Sequence, residues 1–179
     1  MRWTILISLF LSQGIPELAD LAKQGTVNSE KASKPLVAIR PAPEFSLTNV
    51  VGGEVNSRDL KGKVVVVEFW ATWATPAKVV FPDYNLLRKK LSGQGVEFLA
   101  VTFASGTTES IVSVANQLQV EFPVVLGTEE VDRGFGGHPG YPTTFLIGKD
   151  WNVYRRIVGS TQNKIPNLEK DILALVAQP

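Results

Sequence analysis

Apolar residues along the chain follow two patterns: short continuous runs, and longer segments in which every third or fourth position is apolar. The continuous runs KVVVVEFW (63–70) and VEFLAVTF (96–103) are rich in β-branched residues, which is typical of strands buried on both faces of a sheet. Shorter apolar runs predict further strands at FPVVL (122–126), TTFLI (143–147) and NVYRRIVG (152–159). Helical spacing predicts three helices, over residues 76–91, 108–118 and 166–177.

The order of these elements predicts an α/β sandwich with a mixed central sheet. Two short extended pieces flank Gly52-Gly53 and predict an N-terminal β-hairpin. A βαβαβ section follows, then a Gly-rich loop (FGGHPGYP, 135–142), and a ββα section closes the chain. We expect the glycines of this loop to serve backbone geometry rather than phosphate binding, because the sequence has no Walker pattern and no GxGxxG after a strand.

The first 40 residues differ from the rest in composition. Arg2 precedes a mostly apolar stretch over residues 3–11, which is too short for the roughly 20 residues that span a bilayer. We interpret residues 1–14 as a signal peptide; a short uncleaved anchor and an apolar helix docked on a partner are the alternatives. Residues 15–40 are predicted to be a linker, and residues 41–179 a single domain.

Composition and charge restrict the functions that the chain can have. Eighteen Lys and Arg against seventeen Asp and Glu give a net charge of +1 without a basic stripe, so we predict no nucleic-acid partner. The chain contains no cysteine and one histidine. These counts exclude disulfides, thiolate metal sites and a cysteine nucleophile, and we predict no metal and no cofactor.

The stretch WATWATPAKVVFP (70–82) joins a predicted buried strand to a predicted helix. Ala74 and Ala77 stand at the start of that helix with two residues between them, a spacing that has chemical meaning for cysteine and none for alanine. A cysteine at a helix N-terminus has a lowered pKa and is a good nucleophile. A second cysteine one turn later would resolve a mixed disulfide.

On these residues the chain resembles the thioredoxin superfamily, and more closely its TlpA/ResA-like (redoxin, AhpC/TSA-like) branch. The matching features are EFWATW before the motif, Pro76, Lys78 and Pro82 around and after it, and YPTTF (141–145) as the cis-proline loop. Residues 41–63 resemble the N-terminal hairpin of this branch, and residues 96–127 resemble its βα insertion. The resemblance covers about residues 41–177 and implies a thioredoxin-like α/β/α sandwich.

The resemblance places Ala74 and Ala77 at the two cysteine positions, so the chain cannot carry out thiol–disulfide exchange. In a cysteine-bearing parent, position 74 would attack and position 77 would resolve. Glu68 would be the buried acid that accepts a proton from the second cysteine; the alternative is a side chain that reaches solvent at an edge. The same alanine at both positions favours deliberate disarming or recent loss.

The resemblance also implies where a substrate would bind. Pro142 would form the cis-proline loop, and the backbone of Tyr141 would pair with a substrate chain; the alternative is an ordinary loop proline. Trp73, Thr75 and Pro76 would contact the substrate beside it. We expect Trp70 to pack in the core or at its rim.

His138, the single histidine, is expected to be only solvated, as a lone loop histidine usually is.

Two functions fit these observations. The first is an extracytoplasmic, periplasmic protein derived from a thiol:disulfide oxidoreductase that acted on protein disulfides, with a membrane-bound redox partner as a further candidate. The alternative is a non-catalytic peptide-binding or chaperone-like module that uses the groove of Trp73 and Pro142. A peroxiredoxin relative fits less well, because the Thr-x-x-Cys loop and its supporting arginine are absent from the sequence.

Overall fold

Two β-sheets contain eight strands, and the computed structural model describes residues 36–179 of the chain. The predicted leader and residues 15–35 of the predicted linker lie outside the described residues. The strands are β1 (Arg40–Pro41), β2 (Ser46–Thr48), β3 (Glu54–Asn56), β4 (Val64–Trp70), β5 (Val96–Thr102), β6 (Val124–Leu126), β7 (Thr143–Ile147) and β8 (Asn152–Val158). The helices are α1 (Thr75–Lys90), α2 (Thr108–Gln117), α3 (Glu129–Phe135) and α4 (Lys164–Val176), and a 3₁₀ turn covers Ser57–Leu60.

The six-stranded central sheet has the order β1-β8-β7-β4-β5-β6. Strands β4, β5 and β6 run parallel, whereas β7 and β8 add antiparallel partners on the other side of β4. The predicted hairpin is confirmed as the antiparallel pair of β2 and β3. The predicted mixed sheet is therefore confirmed, with the longest apolar run, β4, inside it and buried at every position.

Alternation along β4 divides the core into two layers. Val64, Val66 and Trp70 join side chains of α1, α2 and α4 in one cluster. Val65, Val67 and Phe69 join the hairpin and α3 in a second cluster on the opposite face. A sheet buried on both faces requires apolar residues in both parities, which is why β4 reads as a continuous run.

Three elements of the described residues are not indicated by the apolar pattern. Strand β1 has only two residues, both exposed, and β1 pairs with β8 across the predicted boundary between residues 40 and 41. The 3₁₀ turn at Ser57–Leu60 is also too short to show a period. Helix α3 was absent from the prediction because its seven residues present only Val131 and Phe135 to the core.

The predicted ends of the other helices agree closely with the structure. Helix α4 begins at Lys164, two residues before the predicted start at Pro166, because proline is tolerated throughout a first helical turn. Pro82 lies inside α1 and is exposed. None of the helices within residues 36–179 is both long enough and apolar enough to cross a membrane.

Candidate functional site

The two alanines of the motif lie where the central strand β4 passes into α1. Ala74 is the N-cap residue of α1, is 5% exposed and provides no side-chain hydrogen bond to the helix. Ala77 falls in the first turn of the same helix, after Pro76. The start of α1 has free backbone N–H groups and the positive end of the helix dipole. The methyl group of alanine has no acidic proton and no lone pair with which to attack. The helix N-terminus would stabilise an anion at position 74, but alanine cannot become one.

A second loop, which follows β5, holds the motif loop in place. The Ser105 hydroxyl accepts a hydrogen bond from the Thr72 amide at 3.0 Å, and the Thr72 hydroxyl donates to the Ser105 carbonyl at 3.1 Å. The Thr102 hydroxyl donates to Ser105 Oγ at 2.6 Å. The indole N–H of Trp73 donates to the Ala104 carbonyl at 3.1 Å. Sequence reasoning missed Ser105, because a loop serine gives no signal of which distant loop it will bind.

Trp73 and Tyr141 meet at the surface beside the alanines. Trp73 is 64% exposed, and its ring lies 5.5 Å from the Tyr141 ring in an edge-to-face arrangement. The Tyr141–Pro142 peptide bond is cis, as the resemblance implied, and Pro142 is buried. We call the exposed surface formed by Trp73 and Tyr141 the Trp73 face; the buried Pro142 follows Tyr141 in the chain. Thr75 and Pro76 are exposed at the start of α1.

Glu68 is buried, so the alternative of a solvent-reaching side chain was wrong. Its Oε2 accepts hydrogen bonds from the Tyr84 hydroxyl at 2.9 Å and from the Thr144 hydroxyl at 2.6 Å. Its Oε1 accepts from the Lys164 ammonium at 3.0 Å, and both side chains of this ion pair are almost fully buried. Burial, and then the charge of Glu68, raise the pKa of Tyr84 well above its ordinary value. The role of Glu68 as a proton acceptor stays a prediction.

Lys164 is the second functional candidate that sequence reasoning missed. Lysine is almost always exposed, and nothing in TQNKIPN (161–167) indicates that this one is not. Lys164 comes from the first turn of α4, 96 positions after its partner. The sequence separation explains why only the folded chain reveals the pair.

His138 is not simply solvated, and that expectation was wrong. Its Nδ1 lies 2.6 Å from Asp132 Oδ1, and both side chains are less than one third exposed. Its ring stacks on Phe103 with 5.1 Å between centroids and lies 4.6 Å from the Tyr141 ring. Asp132 lies in α3, the helix that the apolar pattern did not predict, so nothing in the sequence pointed to a partner for the histidine.

Trp70 belongs to the core, as expected. It is fully buried and packs edge-to-face on Phe81 at 5.0 Å. Its indole N–H has no hydrogen-bond partner among the described residues. Gly136 and Gly137 have φ of 88° and 75°, which confirms that they serve backbone geometry. Within residues 36–179, no three His, Cys, Asp or Glu side chains lie together as metal ligands would.

The chain is similar to known thiol-disulfide proteins over most of its length. The model of the AhpC/TSA family matches residues 39–156. The thiol-disulfide oxidoreductase ResA of Bacillus anthracis is 36% identical over 120 residues, which cover 67% of this chain and 69% of the relative. ResA of Geobacillus thermodenitrificans is 31% identical over 161 residues, which cover 89% and 87%. The crystal structure of a thiol:disulfide interchange protein, a thioredoxin family protein of Chlorobium tepidum TLS, superposes with a TM-score of 0.70 at 28% identity and covers 80% of this chain and 100% of that one.

Proposed function

Because this chain belongs to the AhpC/TSA family, we propose that it descends from extracytoplasmic thiol-disulfide oxidoreductases of protein disulfides, has lost dithiol exchange and retains polypeptide binding. The thioredoxin-like fold and the resemblance to ResA are confirmed by the family match, the relatives and the structural neighbour. The observation that carries the proposal is the Trp73 face: the paired rings of Trp73 and Tyr141 and the cis peptide bond to Pro142 are present, although alanines occupy the two cysteine positions.

The loss of exchange follows from the chemistry of position 74. A thiolate attacks one sulfur of a disulfide, forms a mixed disulfide and releases the other sulfur as a thiolate. A second thiolate of the protein then attacks the protein's sulfur in the mixed disulfide, the bond to the substrate's sulfur breaks, and that sulfur leaves as a thiolate while the protein keeps the new disulfide. Neither step can start in a chain without cysteine.

Polypeptide binding is the function that these substitutions leave untouched. An exposed tryptophan and a half-buried tyrosine offer an apolar surface with polar edges, which suits a polypeptide side chain. An extended segment would pair with the backbone of Tyr141 as an added strand and lay alternate side chains against the Trp73 face. The bound segment would also contact Thr75 and Pro76, which are exposed and follow Trp73 closely in the chain.

We place the protein outside the cytoplasm, in a periplasmic or similar compartment. Support comes from Arg2 and the apolar residues 3–11, which resemble a secretory leader. Fusing residues 1–40 to an alkaline phosphatase that is active only after export tests this, and an inactive fusion that is made at normal levels contradicts it. A membrane-bound redox partner is proposed only for the cysteine-bearing parent.

Restoring both sulfurs tests the ancestry. We expect the double variant Ala74→Cys/Ala77→Cys to catalyse reduction of insulin by dithiothreitol, measured as turbidity, while the unchanged chain stays at the uncatalysed rate. The matched control Ala74→Ser/Ala77→Ser has nearly the same shape without sulfur and should be inactive. A folded double-cysteine variant that leaves the insulin rate unchanged would contradict descent from an oxidoreductase.

Binding by the unchanged chain tests the retained function. We expect an unfolded, cysteine-free polypeptide to bind with a Kd in the micromolar range, and Trp73→Ala or Tyr141→Ala to weaken binding about tenfold, since aromatic anchors carry much of such energies. Val51→Ala is the matched control, because Val51 is 77% exposed on the hairpin turn, away from the motif in sequence. Equal binding by all four proteins in fluorescence anisotropy would place the contact elsewhere.

A further inference from the structure

The single histidine of the chain lies directly behind the Trp73 face. The rings run in contact from Trp73 to Tyr141 at 5.5 Å, from Tyr141 to His138 at 4.6 Å and from His138 to Phe103 at 5.1 Å. On the side of His138 away from Trp73, Asp132 Oδ1 lies 2.6 Å from His138 Nδ1. The exposed tryptophan is therefore connected to a half-buried acid–histidine pair by two ring contacts.

The charge of this pair depends on pH. A neutral His138 donates its Nδ1–H to the Asp132 carboxylate, and the pair then carries a net charge of −1. A protonated His138 makes the pair neutral. Histidine is the only side-chain type that ordinarily changes charge between pH 5 and 8 in a chain without cysteine, and this chain has one.

Arg40, Arg133 and Glu129 supply further charged groups near the His138–Asp132 pair. The Arg40 guanidinium lies against Gly136, two residues before His138. Arg133, the neighbour of Asp132, pairs with the Glu129 carboxylate at 3.5 Å. From the remaining packed elements, the rings of Phe69, Phe103 and Tyr141 lie against His138.

The charge of Asp132 reaches the Trp73 face. Burial raises the pKa of the Tyr141 phenol, and the Asp132 carboxylate raises it further. The same field that opposes a phenolate favours a cation at that place. Exposed aromatic rings add to this preference, because the face of an aromatic ring attracts the cation of a Lys or Arg side chain.

We propose that the His138–Asp132 pair makes the Trp73 face prefer polypeptides with a basic side chain near pH 8, and that protonation of His138 removes this preference. The inference rests on the proposed function and specifies its substrate class and its regulation. Asp132 supplies the selecting charge, and His138 cancels that charge on acidification.

Matched peptides test the preference directly. The probes are fluorescein-labelled, end-capped ten-residue peptides of Val, Ala and Thr with one central Lys, Gln or Glu and no histidine, added to the full chain at pH 8.0 and pH 5.5. We expect the Lys peptide to bind about fivefold more tightly than the Glu peptide at pH 8.0, as one net charge at a partly exposed site allows. At pH 5.5 the two affinities should agree within about twofold.

Three variants separate the roles of the two residues. His138→Gln keeps a neutral donor to Asp132, so the Lys preference should persist at both pH values. Asp132→Asn should lose the preference at pH 8.0, and Asp132→Asn/His138→Gln should lose it at both. Circular dichroism establishes that each variant is folded, and Asp132→Asn decides the matter alone if His138→Gln does not fold.

The outcomes distinguish this inference from the function on which it rests. Peptides that bind equally well with Lys and Glu at pH 8.0, or a pH dependence that His138→Gln leaves unchanged, overturn the inference and leave polypeptide binding standing. Absence of binding by all three peptides at both pH values overturns the proposed function and this inference together.

Discussion

Glu68 and Lys164 form a buried ion pair whose carboxylate also accepts hydrogen bonds from two hydroxyls. Such a pair contributes little compared with apolar residues of the same shape, because removing two charges from water costs about as much as their attraction returns. Breaking the pair is different, since one charge is then left buried without a partner. At the scale of single residues, the stability of the fold therefore depends on the contact between Glu68 and Lys164.

Removing Lys164 alone should be costly. We expect Lys164→Met to lower the free energy of unfolding by about 3–5 kcal/mol, the usual effect of leaving one buried charge unpaired. Glu68→Leu/Lys164→Met removes both charges and should recover most of that loss. Urea unfolding followed by circular dichroism measures both variants, and a loss below about 1 kcal/mol in Lys164→Met would mean that the pair is not closed in solution.

Helix α1 starts without a capping side chain, unlike α2, where the Thr107 hydroxyl accepts from the Ser110 amide at 3.3 Å. Pro76 has no N–H, so the Ala77 amide is the orphan donor that a cap at position 74 could reach. We expect Ala74→Ser to raise the free energy of unfolding by about 0.5–1 kcal/mol and Thr107→Ala to lower it by about 1 kcal/mol. Thermal unfolding measures both, and a destabilised Ala74→Ser would show that the buried hydroxyl finds no such donor.

The loop after β5 is a second element whose contribution can be measured. Ser105→Ala removes the acceptor of the Thr72 amide and of the Thr102 hydroxyl. We expect a loss of about 1–3 kcal/mol, the penalty for buried donors without partners. We also expect weaker polypeptide binding, because the motif loop beside Trp73 then loses the hydrogen bond from its Thr72 amide. Ser113→Ala on α2 is the matched control. Unchanged binding despite lost stability would separate the loop from the Trp73 face.

At the scale of the whole molecule, strand β4 belongs to both core layers and connects them. Trp70 reports on the layer of α1, α2 and α4, and Trp151 reports on the layer of the hairpin and α3. A described region of this size is expected to unfold in one cooperative step. Both layers should therefore respond to damage in either one.

A truncation in one layer tests this cooperativity. We expect Phe69→Ala to lower the free energy of unfolding by about 3–5 kcal/mol, because Phe69 is fully buried against three other phenylalanines. The midpoints reported by Trp70 and Trp151 should shift together when each is followed in a variant with the other three tryptophans replaced by phenylalanine. Separate midpoints would show that the two layers unfold independently.

The sequence by itself determined most of the elements and the chemical limit on the activity. Strand β4 could be predicted because a continuous run of apolar, mostly β-branched residues is a local property of the chain, and helix α1 because its apolar residues recur with the helical period. The inability to exchange disulfides needs no fold, because no residue of the chain is a cysteine. Strand β1 could not be predicted because it has two residues, both exposed, and α3 could not because its two turns place only two residues in the core.

Only the tertiary structure decided which polar side chains act together. Lys164 is bonded to Glu68 across 96 positions, and the Thr72 amide to the Ser105 hydroxyl across 33. His138 needed a partner from α3, which the pattern had not shown. A polar side chain gains its partner when distant elements pack together, and the residue type alone does not show which elements will pack against it. For that reason the alanines could be located in the sequence, whereas the charges and hydrogen bonds around them required the folded chain.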